Sequence, residues 1–279
     1  MPNDFNQQII EEFRAGGGRV GGPFEGARLL LLTTTGPRTG ARHTVPLAYL
    51  PDGDRVLVIA SAGGAPRHPD WYRNLVADPR VTVEDGVFTY EADAVVLEGA
   101  ERDEAFARAV EADPGWAEYQ RRAGRALPVV ALRAVPGPPR PNAPTWGAAL
   151  KLVHDAFRRE IGLIRKEVAA SGAGLGAQLR VNCLTLCGGL HHHHTAEDAG
   201  MFPGLAASHP ELAPVVERLG AEHEKIAALL EDLRRAVSSE TAAPQAVLAE
   251  VERLAGELER HLDYEEEQLI PLLDAATPS

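Results

Sequence analysis

Between residues 136 and 144 five of nine residues are proline, in the run Pro-Gly-Pro-Pro-Arg-Pro-Asn-Ala-Pro. Proline fixes φ and has no N–H to donate, so such a stretch can enter neither a helix interior nor a central strand. It predicts a semi-rigid spacer between two stretches of different character. Residues 1–140 hold 16 Arg and 19 Asp or Glu, net −3, while the remainder holds 12 basic and 21 acidic residues, net −9, with all three lysines. A chain of 279 residues is long enough for two cores. The expected division is a first domain at 1–135, the spacer at 136–144 and a second domain at 145–279.

The net charge of −12 argues against nucleic acid or an anionic membrane surface as the main partner. The apolar blocks, Leu29 to Leu32 among them, are far short of a membrane span. No signal-like segment opens the sequence, which predicts a cytoplasmic protein. Cys183 and Cys187 cannot form a disulfide framework and are expected as reduced thiols.

In the first domain, Phe5, Ile9, Ile10 and Phe13 mark one side of a short amphipathic helix over Asp4 to Arg14. Strands are predicted at Leu29–Thr35, Arg42–Leu50, Arg55–Ser61, Val81–Glu84, Val87–Glu98 and Leu127–Val135, separated by Gly, Pro and Asp turns. Helices are predicted from Pro69 to Val76 and from Glu101 to Glu111, followed by an aromatic segment with Trp116 and Tyr119. Short antiparallel strands with a few helices predict a small α+β barrel. Arg38 and Arg42 flank a Gly-bounded turn where N–H groups and guanidinium forks can hold a phosphate, and Arg67 follows a second Gly-rich break. No GxxxxGKS or GxxxxGKT and no strand-linked GxGxxG is present, so neither a P-loop nor a Rossmann site is supported. No acid–base pair or nucleophile constellation stands out, which suits a cofactor carrying the chemistry.

The segments Phe5–Arg14, Gly21–Gly26, Leu31-Leu-Thr-Thr-Thr-Gly-Pro-Arg-Thr-Gly-Ala-Arg42, Val45-Pro-Leu47, Ser61-Ala-Gly-Gly64, His68-Pro-Asp-Trp-Tyr-Arg-Asn-Leu75, Asp78-Pro-Arg-Val81 and Leu127-Pro-Val129 occur in the order of the deazaflavin-dependent nitroreductase family, which this region resembles. The resemblance implies a split β-barrel that binds coenzyme F420 as a hydride donor. It implies that Arg38, Thr39 and Arg42 hold the coenzyme's phosphate and acidic tail. Thr44, Pro46, Leu47, Ala60 and Ser61 would line its ring, and Arg67, Trp71 and Asn74 would close over it. Tyr119 would orient the substrate, as the catalytic candidate. The family often has a second basic residue where this chain has Thr39, which leaves FMN open as an alternative coenzyme.

The second domain is dominated by a repeat. His193 and Glu197 are followed by Met201, Phe202, Pro203 and Leu205, and at the same offsets His261 and Glu265 are followed by Leu269, Ile270, Pro271 and Leu273. Residues four apart share a helix face, so each His–Glu pair is a candidate for half of a metal site. Helices are predicted from Thr145 to about Ala170, from about Leu175 to Phe202 with Pro203 as the stop, from Pro210 to about Val237 and from Pro244 to about Asp274, giving an all-α up-and-down four-helix bundle. His154, His193, His223 and His261 then fall at one level to within about two turns. His154 and His223 each open an apolar stripe facing the core. Four histidines with Glu197 and Glu265, and no thiolate, suit iron or manganese ahead of zinc, and two carboxylates can bridge two metals. His191 is expected to point away from the core and His192 and His194 sideways, as surface or supporting groups.

This set resembles the hemerythrin-like cation-binding family over about residues 145 to 275. Ala227 stands where oxygen-carrying hemerythrins have a further His. The expected metal group is two iron ions with open coordination, meeting O2, peroxide or NO. The favoured function is an F420-dependent oxidoreductase, passing hydride to a small quinone or nitro acceptor, fused to a di-iron bundle. The alternative is an iron or oxygen sensor whose barrel binds a flavin or deazaflavin without turnover.

Overall fold

A computed structural model describes residues 4–239, 241 and 243–275. The chain forms two compact units, Met1–Asn142 and Ala143–Ser279.

The first unit is a closed antiparallel barrel. Strands β1 (Leu29–Thr35), β2 (Arg42–Asp52), β3 (Arg55–Ile59), β4 (Arg80–Glu84), β5 (Phe88–Val96) and β6 (Val129–Ala134) run in the order β4-β1-β2-β3-β6-β5, and β4 pairs with β5 to close the circle. Closure removes the free edges that an open sheet would expose. The four leucines of β1 are apolar without alternation because both faces are covered. Leu30 and Leu32 point into the barrel with Val58, Val83, Val130 and Leu132, while Leu29 and Leu31 meet Ile9, Ile10 and Phe13 of helix α1 (Asp4–Ala15). Helix α2 (Asp70–Ala77) buries Trp71 and Leu75 in the interior. Helix α3 (Gly99–Ala112) packs on the outside of β3 and β6, with Phe106 and Ala109 against Leu57, Ile59 and Val129.

Three details add to or depart from the expected pattern. The aromatic segment is a helix, α4 (Gly115–Ala123), ended by Gly124 in the left-handed region at φ 63°. The turn between β2 and β3 is only Gly53-Asp54, because Pro51 pairs with Val56 inside the ladder. In the proline run, Arg140–Pro141 forms a two-residue strand, β7, against Thr89 and Phe88 of β5. Proline is tolerated there because β7 is an edge.

The second unit is the helical bundle: α5 (Trp146–Ala170), α6 (Ala177–Ala196), α8 (Ala213–Ser238) and α9 (Pro244–Ala275), with α5 packed on α6 and α9, and α8 on α6 and α9. Thr145 caps α5 by accepting from the Ala148 N–H at 3.1 Å. The second helix does not stop at Pro203. It passes through a π turn at Glu197–Met201 and continues as α7 (Phe202–Ser208). A proline clashes with the carbonyl four residues back, and the wider π turn relieves that clash. One apolar layer contains Ile164, Leu190, Leu230, Leu254 and Leu258, and a smaller one contains Phe202, Leu212, Leu219 and Leu269. Between them lies a layer of buried polar side chains. Leu254→Ala in the larger layer, at 0% exposure, is expected to destabilise the bundle by about 2–5 kcal/mol in a denaturant titration.

Candidate metal centre and candidate coenzyme residues

The polar layer of the bundle is built from His154 (0% exposed), His194 (5%), Glu197 (5%), His223 (4%), His261 (2%) and Glu265 (0%), with His193 half-buried. They form two adjoining groups, His154, His193, Glu197 and Glu265 in one and His194, His223 and His261 in the other, with the facing atoms of each group within 4.8 Å of one another. All six expected ligands therefore converge. The carboxylates lie between the groups. Glu197 Oε1 is 3.2 Å from His193 Nε2 and its Oε2 3.6 Å from His223 Nε2, while Glu265 Oε2 is 3.5 Å from Nε2 of both His154 and His261.

His194 corrects the expectation that it points sideways. Its ring stacks on His223 at 4.1 Å and meets His261 edge-on at 5.2 Å. The buried face of α6 runs through Cys183, Leu186, Cys187 and Leu190, and this stripe continues into both His193 and His194, which sit three and four residues after Leu190. The two cysteines sharing the side of His194 are fully buried, and that apolar continuation was the signal in the sequence. His194 brings a third imidazole to a group that lacks one at Ala227. His194→Ala is expected to halve the metal content per chain, measured by metal analysis, with His191→Ala, at an exposed position, as the unchanged control.

An outer layer orients the rings. His154 Nδ1 lies 3.0 Å from Glu266, His223 Nδ1 2.8 Å from Asp198 and His261 Nδ1 3.1 Å from Glu222. A carboxylate at Nδ1 selects the tautomer that leaves the inner Nε2 lone pair free for a cation. Arg158 holds Glu266 at 2.5 Å, and Arg218 holds Glu222 at 2.8 Å while its guanidinium lies over the Tyr264 ring. Burial works against ionised Glu266, but the bonds from His154 and Arg158 outweigh it and hold the carboxyl down at about 2. Glu266→Gln is expected to weaken metal affinity about 10–100-fold in a chelator competition.

The inner atoms have the character that a cation site needs. Nε2 of His154, His193 and His194 and both oxygens of Glu197 and Glu265 are buried with no hydrogen-bond partner. His223 Nε2 and His261 Nε2 face each other at 3.2 Å. Burial and the neighbouring imidazoles push His193 down to about 2. Burial, with Glu265 alongside, holds the Glu197 carboxyl far above the usual carboxylate range. A neutral pocket of lone pairs and carboxyls at this depth fits cations, which satisfy the orphaned acceptors and favour the ionised carboxylates. Cys187, seven residues before His194, packs in the apolar layer, and burial pushes its thiol up to about 11, which makes it unreactive.

In the barrel the expected coenzyme residues divide by strand face. Thr33 lies between Thr44 and Thr82 in the ladder, with Glu91 beyond Thr82. Thr33 Oγ1 is 2.7 Å from Thr44 Oγ1, and Arg42 Nη2 donates to Thr82 Oγ1 at 2.5 Å. Arg42, Thr44 and Pro46 thus share one face of β2. Leu47 is on the other, packed against the interior core. Arg38 and Thr39 lie exposed in the β1–β2 turn, and Ser61 and Arg67 lie in the loop between β3 and α2. Ala60 (0% exposed) and Trp71 (7%) are interior side chains, which leaves their backbone and not their side-chain faces for a ligand. Asn74 donates to Thr34 Oγ1 at 3.1 Å in a buried contact. Tyr119 packs edge-on to Trp116 at 5.9 Å on α4. The accessible expected groups, Arg38, Thr39, Arg42, Thr44, Ser61 and Arg67, are cations and hydroxyls without a carboxylate, which fits a coenzyme that is anionic along its tail.

Residues 6–134 match the F420H(2)-dependent quinone reductase family, and residues 148–273 match the hemerythrin HHE cation binding domain. An F420H(2)-dependent quinone reductase of Mycobacterium tuberculosis is 37% identical over 124 residues, which are 43% of this chain and 83% of that protein. A solved structure titled as an F420-H2 dependent reductase is 40% identical, with 38% of this chain and 94% of that chain covered and a TM-score of 0.36. No described helix is long and apolar enough to cross a membrane. At that identity across most of the relative's length, the chain belongs to the F420H(2)-dependent quinone reductase family, and it carries a hemerythrin HHE cation binding domain as its second unit.

Proposed function

We propose that the barrel passes a hydride from reduced coenzyme F420 to a quinone-type acceptor, and that the bundle binds two iron ions. The observation that carries the first part is the 37% identity to the mycobacterial quinone reductase across 83% of its length. In this reading Arg38, Thr39 and Arg42 hold the phosphate and acidic tail. Thr44, Pro46 and Ser61, with the backbone at Ala60, would border the ring, and Arg67 would close over it. Leu47, Trp71 and Asn74 support these segments from within the barrel. Tyr119 orients the acceptor. When bound, the deazaflavin supplies the hydride, so the protein's work is to bind, orient and exclude competing reactions.

For the bundle, the orphaned inner atoms support a pair of cations. His154 and His193 would hold one and His194, His223 and His261 the other, with Glu197 and Glu265 available to both. Iron suits an imidazole and carboxylate set without thiolate. When bound, iron supplies one-electron redox chemistry and an affinity for O2, peroxide or NO. A deazaflavin hydride carries an electron pair, so the two activities are read as separate. Full-length protein mixed with reduced F420 and menadione is expected to oxidise the coenzyme at a rate proportional to protein. Oxidation no faster than background would sink the reductase reading and favour a sensor whose barrel only binds its ligand.

A further inference from the structure

The loop at 60–67 carries three of the residues assigned above, and beyond Ala60, whose N–H donates to the Pro128 carbonyl at 2.9 Å, the backbone bonds its N–H groups make are local. Ala62, Gly63 and Gly64 are consecutive left-handed residues at φ 47°, 62° and 82°, and Ala62 is the only non-glycine with positive φ among the described residues. That conformation is disfavoured for a side chain with a Cβ, and it persists only where the surroundings impose it. Its N–H groups make short local bonds, Gly64 to the Ser61 carbonyl at 2.9 Å and Ala65 to the Ala62 carbonyl at 3.2 Å.

The carbonyls at the two ends of the loop converge on one side chain, Arg125. Its Nε donates to the Pro66 carbonyl at 3.2 Å, and Nη2 donates to those of Ala60 at 3.2 Å, Arg67 at 3.2 Å and Ala65 at 3.5 Å. Nη1 reaches the Ala126 carbonyl at 3.4 Å. Arg125 leaves the C-terminal end of α4, directly after Gly124. The loop also lies against that helix. A Cβ added at Gly64 would be 3.1 Å from Arg122 Cβ and 3.4 Å from the Tyr119 carbonyl.

We infer that Arg125 is a positioning residue that clamps the coenzyme loop, with Ala60, Ser61 and Arg67, to α4, the helix that carries the acceptor candidate Tyr119. This rests on the coenzyme site proposed above. A planar fork with five N–H groups can bond carbonyls arriving from several directions, whereas an ammonium is a single point of donation. Arginine is therefore required, and charge alone does not replace it.

Titration of the full chain with oxidised F420, followed by the coenzyme's own fluorescence, tests this. Arg125→Ala is expected to weaken binding about ten-fold or more, and added methylguanidinium restores it. Arg125→Lys weakens binding similarly and is not rescued. Hydrogen–deuterium exchange rises in residues 60–67 in both variants, while peptides of the closed ladder stay protected. Should Arg125→Ala fail to fold, Arg125→Lys carries the same test. Wild-type affinity in either variant, or an unchanged exchange rate across 60–67, overturns the clamp. Wild-type protein that does not bind F420 at all overturns the proposed coenzyme site, and the clamp falls with it.

Discussion

Purified His261→Ala is expected to hold one iron or none, against about two in the wild type, and His193→Ala to lose iron to a similar extent. His261 faces His223 at 3.2 Å and lies within reach of Glu265 at 3.5 Å, so its removal takes one of three imidazoles from one group and a neighbour from a shared carboxylate. His193 supplies one of only two imidazoles in the other group. Metal removal from the wild type should reveal how much of the bundle depends on these ions. Seven buried atoms are left without partners in their absence, and each unsatisfied buried polar group costs about 1–3 kcal/mol. Even a few such groups amount to a drop of about 10 °C or more in the melting midpoint of the bundle after chelation. Metal analysis and calorimetry of the loaded and chelated protein check both statements. Unchanged iron at about two per chain in both variants would sink the ligand assignment.

The second large effect is expected in the barrel. Arg38→Ala and Arg42→Ala should each weaken F420 binding by about 10–100-fold, because a charge-assisted contact to an anionic group is worth about 1.5–3 kcal/mol. The double variant should lose more than either alone, and the wild-type affinity should fall with added salt. Turnover of menadione at saturating reduced coenzyme should change little, since these contacts hold the tail in ground and transition states alike. Arg42 also donates to Thr82, so Arg42→Lys separates charge from fork geometry. Fluorescence titration gives the affinities, and an unchanged Kd in the double variant would exclude this turn as the phosphate site.

The helix faces of the second unit were readable because a metal site obeys the same 3.6-residue period as the core around it. His154, His223 and His261 each belong to an apolar stripe, and the His–Glu spacing of four places a carboxylate beside an imidazole without any knowledge of the neighbouring helices. His194 was misread because helical phase was measured from His193. The α6 face spans both residues: Cys183 and Cys187 on the side of His194 signal it in the sequence, and packing against α8, where His194 stacks on His223, fixes its width. Pro203 was misread as a stop because local propensity predicts a break. The π turn that accommodates it is held by the tertiary role of its first two residues, Glu197 in the site and Asp198 on the His223 ring.

The barrel was legible as alternating strands and turns, yet the faces on which its site residues lie were not. Thr44 and Leu47 are both apt to line a ring on sequence grounds, but ladder register puts Leu47 in the core and Thr44 beside Thr33. Trp71 and Asn74 in α2 turn inward for the same reason: the barrel interior must be filled and its polar groups bonded.

By itself the sequence determined two units divided at a proline run, the strand and helix periods of each, and the histidines and carboxylates that a metal would need. Those properties follow from the chain's local chemistry and from spacings along a single element. Tertiary structure alone decided the outer carboxylates on the imidazoles, the stacking of His194 on His223 and the gathering of four loop carbonyls by Arg125. Each depends on which elements become neighbours, and contacts between residues far apart in the chain leave no period in the sequence.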